Sequence, residues 1–75
     1  MKQPSRADAE KILVSILENT LVNKEDIIYI KSMIRECTGP LPMKGIAYCY
    51  GKMEKREMSK DDCNGFATLM HFWGP

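Results

Sequence analysis

Seventy-five residues hold one domain, and a chain of that length buries only about 60% of the surface its unfolded form exposes. Eleven lysines and arginines against ten aspartates and glutamates leave a net charge of +1, without the basic excess on which non-specific nucleic-acid binding rests or an acidic tail. The polar start MKQPSRADAE lacks a signal-peptide core, no apolar run nears the roughly 20 residues that span a bilayer, and three cysteines cannot all pair within one chain; together these predict a cytoplasmic protein with reduced, mostly buried thiols and no membrane partner.

Residues 1–4 are expected to be disordered. The first helix follows Ser5, a candidate N-cap with Asp8 three residues later, in the manner of a capping box. Ile12, Leu13, Ile16, Leu17 and Leu21 then recur at three- and four-residue steps, with Val14 off the stripe, and Asn19, Thr20 and Asn23 mark the end. A second helix opens at Asn23, with Glu25 and Asp26 at the positive end of its dipole and a stripe of Ile27, Ile30, Ile34 and Cys37, beside which lies Met33. Gly39 can take a left-handed cap and Pro40 cannot continue the helix. The β-branched run IIYI is also compatible with a strand, but the cap and the length favour a helix. Only two or three residues separate these helices, which predicts an antiparallel αα-hairpin.

The stretch GPLPMKG makes residues 38–45 a stiff linker between two helical pairs. A third helix is expected from about Met43 to Glu57 on the steps of Met43, Ile46, Ala47, Tyr50 and Met53, although Gly45 and Gly51 each cost about 1 kcal/mol relative to alanine inside a helix and IAYCY could be extended. A fourth begins after Ser59, again with an acid three residues on. Its expected core stripe is Cys63, Phe66, Ala67, Met70 and Trp73, leaving Leu69 and Phe72 outside, and Gly74 and Pro75 close the chain. The predicted fold is all-α: a small bundle of about four short helices in a single domain over 1–75.

The side chains that could carry chemistry are few. Cys37, Cys49, Cys63 and His71 could form a zinc set only with widely separated ligands, whereas structural zinc sites bring ligands in close pairs; no metal or other cofactor is expected, and the cysteines read as small core fillers. His71 is the single histidine, the glycines follow no phosphate-loop spacing, and Asp61 and Asp62 read as first-turn acids, so the chain is not expected to be an enzyme. A helix-turn-helix pattern is partly met by Ala47 and Gly51, with Lys52, Lys55, Arg56 and Lys60 as its nucleic-acid contacts. Its reading helix would begin Ser59-Lys60-Asp61-Asp62, however, and two carboxylates aimed at phosphates are repulsive. A DNA-binding regulator is therefore the alternative reading, with nucleic acid an unlikely partner.

The favoured reading starts from FATLMHFWGP, which is apolar nearly all round. A small core can bury one side of such a helix, so Leu69, Phe72 and Trp73 are expected to anchor a partner, with Phe66 and Met70 holding the helix to its own core. The competing explanation is a central helix wrapped by the other three. The expected function is a small non-enzymatic protein-interaction module, a regulator or inhibitor of the kind encoded by bacteria and their phages, acting on another protein or on itself as a homodimer.

Overall fold

Serine hydroxyls start the first and last helices. Ser5 Oγ accepts a hydrogen bond from the Asp8 amide, and Ser59 Oγ one from the Asp62 amide, both at 3.1 Å; each pairs an amide that the helix cannot satisfy internally. The computed structural model describes residues 2–74 and orders them as α1 (Arg6–Thr20), α2 (Lys24–Glu36), α3 (Met43–Gly51) and α4 (Lys60–Trp73). The fold is a small all-α bundle; among the described residues the one extended pairing is an isolated antiparallel bridge between Leu21 and Lys55. Met1, part of the stretch expected to be disordered, and Pro75 lie outside the described residues. Asn23 takes the cap position of α2, but its side chain makes no capping bond.

α1 and α2 form the expected antiparallel hairpin. Lys31 reaches Glu18 at 3.3 Å near the connection, and at the far end Arg6 donates to the carbonyls of Ile34 at 2.7 Å and Cys37 at 2.6 Å, and to that of Gly39. One guanidinium thus pairs carbonyls that the end of α2 leaves open. Gly39 supplies the left-handed turn beyond, with φ of 94°, a region that costs side-chain-bearing residues. The segment before α3 is more than a spacer, because Leu41 is buried between its two prolines.

The core is built on α1. Ala9, Leu13, Ile16 and Leu17 are buried, and they meet Ile30 and Ile34 of α2, Met43, Ile46 and Tyr50 of α3, and Leu69 of α4. α1 packs on α2 and most extensively on α4, while α3 closes the bundle against α2 and α4. A pair of hydroxyls lies inside. Thr20 Oγ1 is 2.7 Å from the Ile16 carbonyl and 2.7 Å from Tyr50 Oη. A hydroxyl has one proton, and the carbonyl can only accept, so Thr20 donates to Ile16 and Tyr50 donates to Thr20. Burial lifts the Tyr50 phenol above its ordinary range; Thr20 works in the opposite sense, and the negative charge of Asp62 pushes it further up.

Three expectations are corrected. The third helix stops at Gly51, not Glu57: the amides of Lys52 and Met53 turn back to Cys49 and Tyr50, and residues 54–56 leave the helix to run beside the end of α1. The thiols are not mostly buried, since Cys37 and Cys63 are exposed and Cys49 is half-buried. The core face of α4 is also rotated. Leu69 is fully buried, whereas Cys63 and Ala67 face outward. Gly65 sets this phase: a Cβ there would lie 3.1 Å from Ile12 Cγ2 and 3.5 Å from Ile16 Cδ1. The helices approach closely at the residue with no side chain, and Leu69, one turn on, follows it into the core.

Leu69→Ala should therefore cost about 2–5 kcal/mol of stability, as large-to-small core changes do, while Ala67→Glu on the outer face should stay within about 0.5 kcal/mol; urea denaturation of both measures the contrast. Tyr50→Phe leaves the Thr20 oxygen without its donor and should cost about 1 kcal/mol near neutral pH. Because the folded phenol titrates above the unfolded one, the unfolded chain loses its proton first as pH rises beyond about 10, the ordinary tyrosine value. Stability from this group is complete below that pH and is lost above it, so the gap between wild type and Tyr50→Phe should narrow in alkaline denaturation curves.

Candidate interaction surface

The residues expected to anchor a partner do not form one exposed face. Leu69 is fully buried and cannot touch another chain while the bundle is folded. Trp73 is half-buried and packs against the core, as Phe66 and Met70 do; among the described residues its Nε1, buried, has no hydrogen-bond partner. Phe72 is half-buried, with the His71 ring edge-on to it at 4.6 Å. The outward face of α4 is instead lined by Asn64, Ala67, Thr68 and His71. The tail is apolar on several sides because α4 is pressed against both α1 and α3, and Phe66 reaches Tyr50 with ring centroids 5.4 Å apart.

The basic group of the alternative reading is also largely occupied within the chain. Lys55 Nζ donates to the carbonyls of Met53 at 2.7 Å, Tyr50 at 2.9 Å and Gly51 at 3.4 Å, which closes the C-terminal end of α3. Arg56 does the same for α1: its amide donates to Thr20 O at 2.7 Å and its guanidinium to Leu21 O at 2.9 Å. Lys52 lies over the Tyr48 ring, 4.3 Å from its centroid, and Lys60 is exposed at the first turn of α4. Eight residues separate α3 from α4, and residues 54–56 among them run against the α1–α2 connection, so Gly51 ends a helix where the motif would place it in a tight turn.

The large exposed apolar side chains lie elsewhere. Ile28 is 60%, Tyr29 54% and Tyr48 66% exposed; Val22, in the α1–α2 connection, is the remaining one. α2 and α3 run antiparallel: the Val22 amide bonds to the Glu54 carbonyl at one end, and at the other Met33 Cε is 3.9 Å from where a Cβ of Gly45 would be. Tyr29 is one turn before Met33, and Tyr48 one turn after Gly45. The two tyrosines are therefore level with each other across the α2–α3 seam, with half-buried Met33 beside them. The sequence held a signal for these exposed side chains, since Ile28, Tyr29 and Tyr48 are the large residues that fall between the core stripes of their own helices.

Charge around these side chains is uneven. Lys44 and Lys52 lie one turn to either side of Tyr48, and no acidic residue occurs between Glu36 and Glu54. On α2 the charges are separated: Lys24 and Arg35 are in line with Ile28, whereas Glu25 and Glu36 share the face of Tyr29 and Met33. Among the described residues, no three histidine, cysteine or acidic side chains come together where they could hold a metal ion, and no helix is long and apolar enough to cross a membrane.

The two uses of positive charge can be separated. Arg56→Met should lower stability by about 1 kcal/mol by opening the α1 carbonyl it covers, and Lys52→Met and Lys60→Met should each change it by less than about 0.5 kcal/mol; thermal unfolding of the three variants side by side is the measurement.

No family model, no curated protein and no solved structure matches this chain.

Proposed function

We propose that this chain is a small non-enzymatic protein-interaction module, a regulator or inhibitor that acts by covering a partner protein, of the kind that bacteria and their phages encode. The observation that carries the reading is the pair of exposed tyrosines, Tyr29 and Tyr48, across the α2–α3 seam with half-buried Met33 beside them, and exposed Ile28 on the adjoining outer face of α2. Contiguous exposed apolar area on a small protein marks an interface, and tyrosine and methionine are enriched at interface centres. The interface is thus assigned to the α2–α3 side and not to α4, whose apolar residues serve the bundle itself. The unpaired, exposed thiols of Cys37 and Cys63 suit a reducing compartment and support a cytoplasmic location. The engagement of Lys55 and Arg56 with helix-end carbonyls weighs against the helix-turn-helix alternative, because charges held there are poorly placed to reach phosphates.

The double variant Tyr29→Glu/Tyr48→Glu should unfold within a few degrees of wild type, since both side chains are mostly in water, yet fail to retain a partner from an extract of the source organism. Phe72→Ser should retain it. Retention by the double variant with loss in Phe72→Ser would place the interface on α4 after all, and a wild-type chain that retains no protein, and stays monomeric in sedimentation, would defeat the reading.

A further inference from the structure

The α2–α3 face carries both signs of charge, sorted by helix. Glu25, Tyr29, Met33 and Glu36 recur at three- and four-residue steps and so share one side of α2. Lys44, Tyr48 and Lys52 recur every fourth residue on α3. Lys52 Nζ lies 4.3 Å from the centroid of the Tyr48 ring, so this line continues just past the last helical residue. The two helices run antiparallel with their tyrosines level. Glu25 is therefore level with Lys52, and Glu36 lies within one turn of the level of Lys44. All four charged side chains are exposed. None of them joins an ion pair among the described residues, where the pairs are Arg6–Glu10 and Lys31–Glu18. The face is thus an acidic line beside a basic line, each with a tyrosine in its middle, and neither is neutralised within the chain.

We propose, building on the interaction-module reading, that this face binds a second copy of the chain. Charge complementarity selects that occupant. A two-fold axis lying in the interface along the seam, parallel to the helices, sets α2 of each copy on α3 of the other. Every residue keeps its level under that rotation. Glu25 then meets the partner's Lys52, Tyr29 the partner's Tyr48 and Glu36 the partner's Lys44, and symmetry makes each contact twice. The tyrosines, with Met33 beside them, form the centre, as aromatic residues and methionine do in interfaces, and opposite charges flank it. An axis across the helices does the reverse: it lays α2 on α2, with Glu25 near the level of the partner's Glu36, and α3 on α3, with Lys44 near the level of the partner's Lys52. Other occupants also meet like charge. An acidic helix faces Glu25 and Glu36, a basic helix faces Lys44 and Lys52, and a nucleic acid faces the acidic line. The second copy adds buried area to a chain too short to bury much by itself, and a different protein bound at this face competes with it.

The test is sedimentation equilibrium of the full chain, with amide chemical shifts followed on dilution. The wild type should sediment at twice the chain mass, and dilution should shift the amides of Tyr29, Gly45 and Tyr48. Glu25→Lys/Glu36→Lys makes both lines basic, and Lys44→Glu/Lys52→Glu makes both acidic; each variant should unfold within a few degrees of wild type. Alone, each should self-associate about tenfold more weakly than wild type, or worse, as four exposed ion pairs become four repulsions. Mixed one to one, the two variants should pair with each other at wild-type strength, because unlike lines then meet on both sides, and that recovery also shows that both are folded. The proposal is overturned if the wild type is monomeric at millimolar concentration, if either variant associates as strongly as wild type, if the mixture does not recover the dimer, or if the dilution shifts are confined to α1 or α4. The interaction-module reading is decided separately, by retention from the extract: a monomeric chain that still retains a protein overturns the second copy alone, and a monomeric chain that retains none overturns both.

Discussion

The bundle depends on a short piece of extended chain laid across the end of α1. Residues 54–56 run beside residues 20–22, with the Val22 amide bonded to Glu54 O at 3.2 Å and the Arg56 amide to Thr20 O at 2.7 Å. This tie joins the turn between α1 and α2 to the turn between α3 and α4, so it fixes one helical pair on the other. It also explains the buried hydroxyl pair. Thr20 ends α1 directly beneath the tie, and Tyr50 ends α3 just before it, so the two helix ends are held close enough for a hydrogen bond inside the core. A buried polar pair is tolerated only when each member is satisfied, and here the Ile16 carbonyl completes the chain of bonds.

Three cations share a second task that short helices impose. Each helix leaves its last carbonyls without amide partners, and in helices of nine to fifteen residues these ends are a large fraction of the backbone. Arg6 covers the end of α2, Lys55 that of α3 and Arg56 that of α1. In two of the three cases the cation comes from a different part of the chain, so the cap is also a tertiary contact. The division leaves Lys44 and Lys52 as the basic side chains of the α3 surface. The face that carries the exposed tyrosine is therefore more positive than a net charge of +1 suggests.

α4 shows how the two kinds of information part. Reading its apolar residues alone gives a stripe through Cys63 and Ala67, because a periodicity argument counts side chains and assigns no weight to glycine. The contact with α1 is made where a side chain is missing, at Gly65, and that contact turns Leu69 inward and Ala67 outward. The proposed interaction surface differs from the expected one for the same reason. Once Leu69 is taken into the core, the apolar character of the tail is accounted for mainly within the bundle, and the large side chains left in water are those on α2 and α3.

The sequence by itself determined the class of the fold, four helices, and the starts of two of them, because hydroxyl caps and three/four apolar spacing are local properties that neighbouring residues impose. It also determined most of the buried stripes of α1, α2 and α3, where bulky aliphatic residues keep one phase, the exposed Cys37 at the end of the α2 stripe excepted. Only the tertiary structure decided where α3 ends, which lysines and arginines are engaged as caps, which side of α4 faces the core and which apolar residues remain exposed. Each of these depends on a partner far away in sequence: residues 54–56 on 20–22, Arg6 on Ile34 and Cys37, Gly65 on Ile12 and Ile16. Local periodicity carries no record of such partners, because the free energy that selects them is gained only when the helices pack.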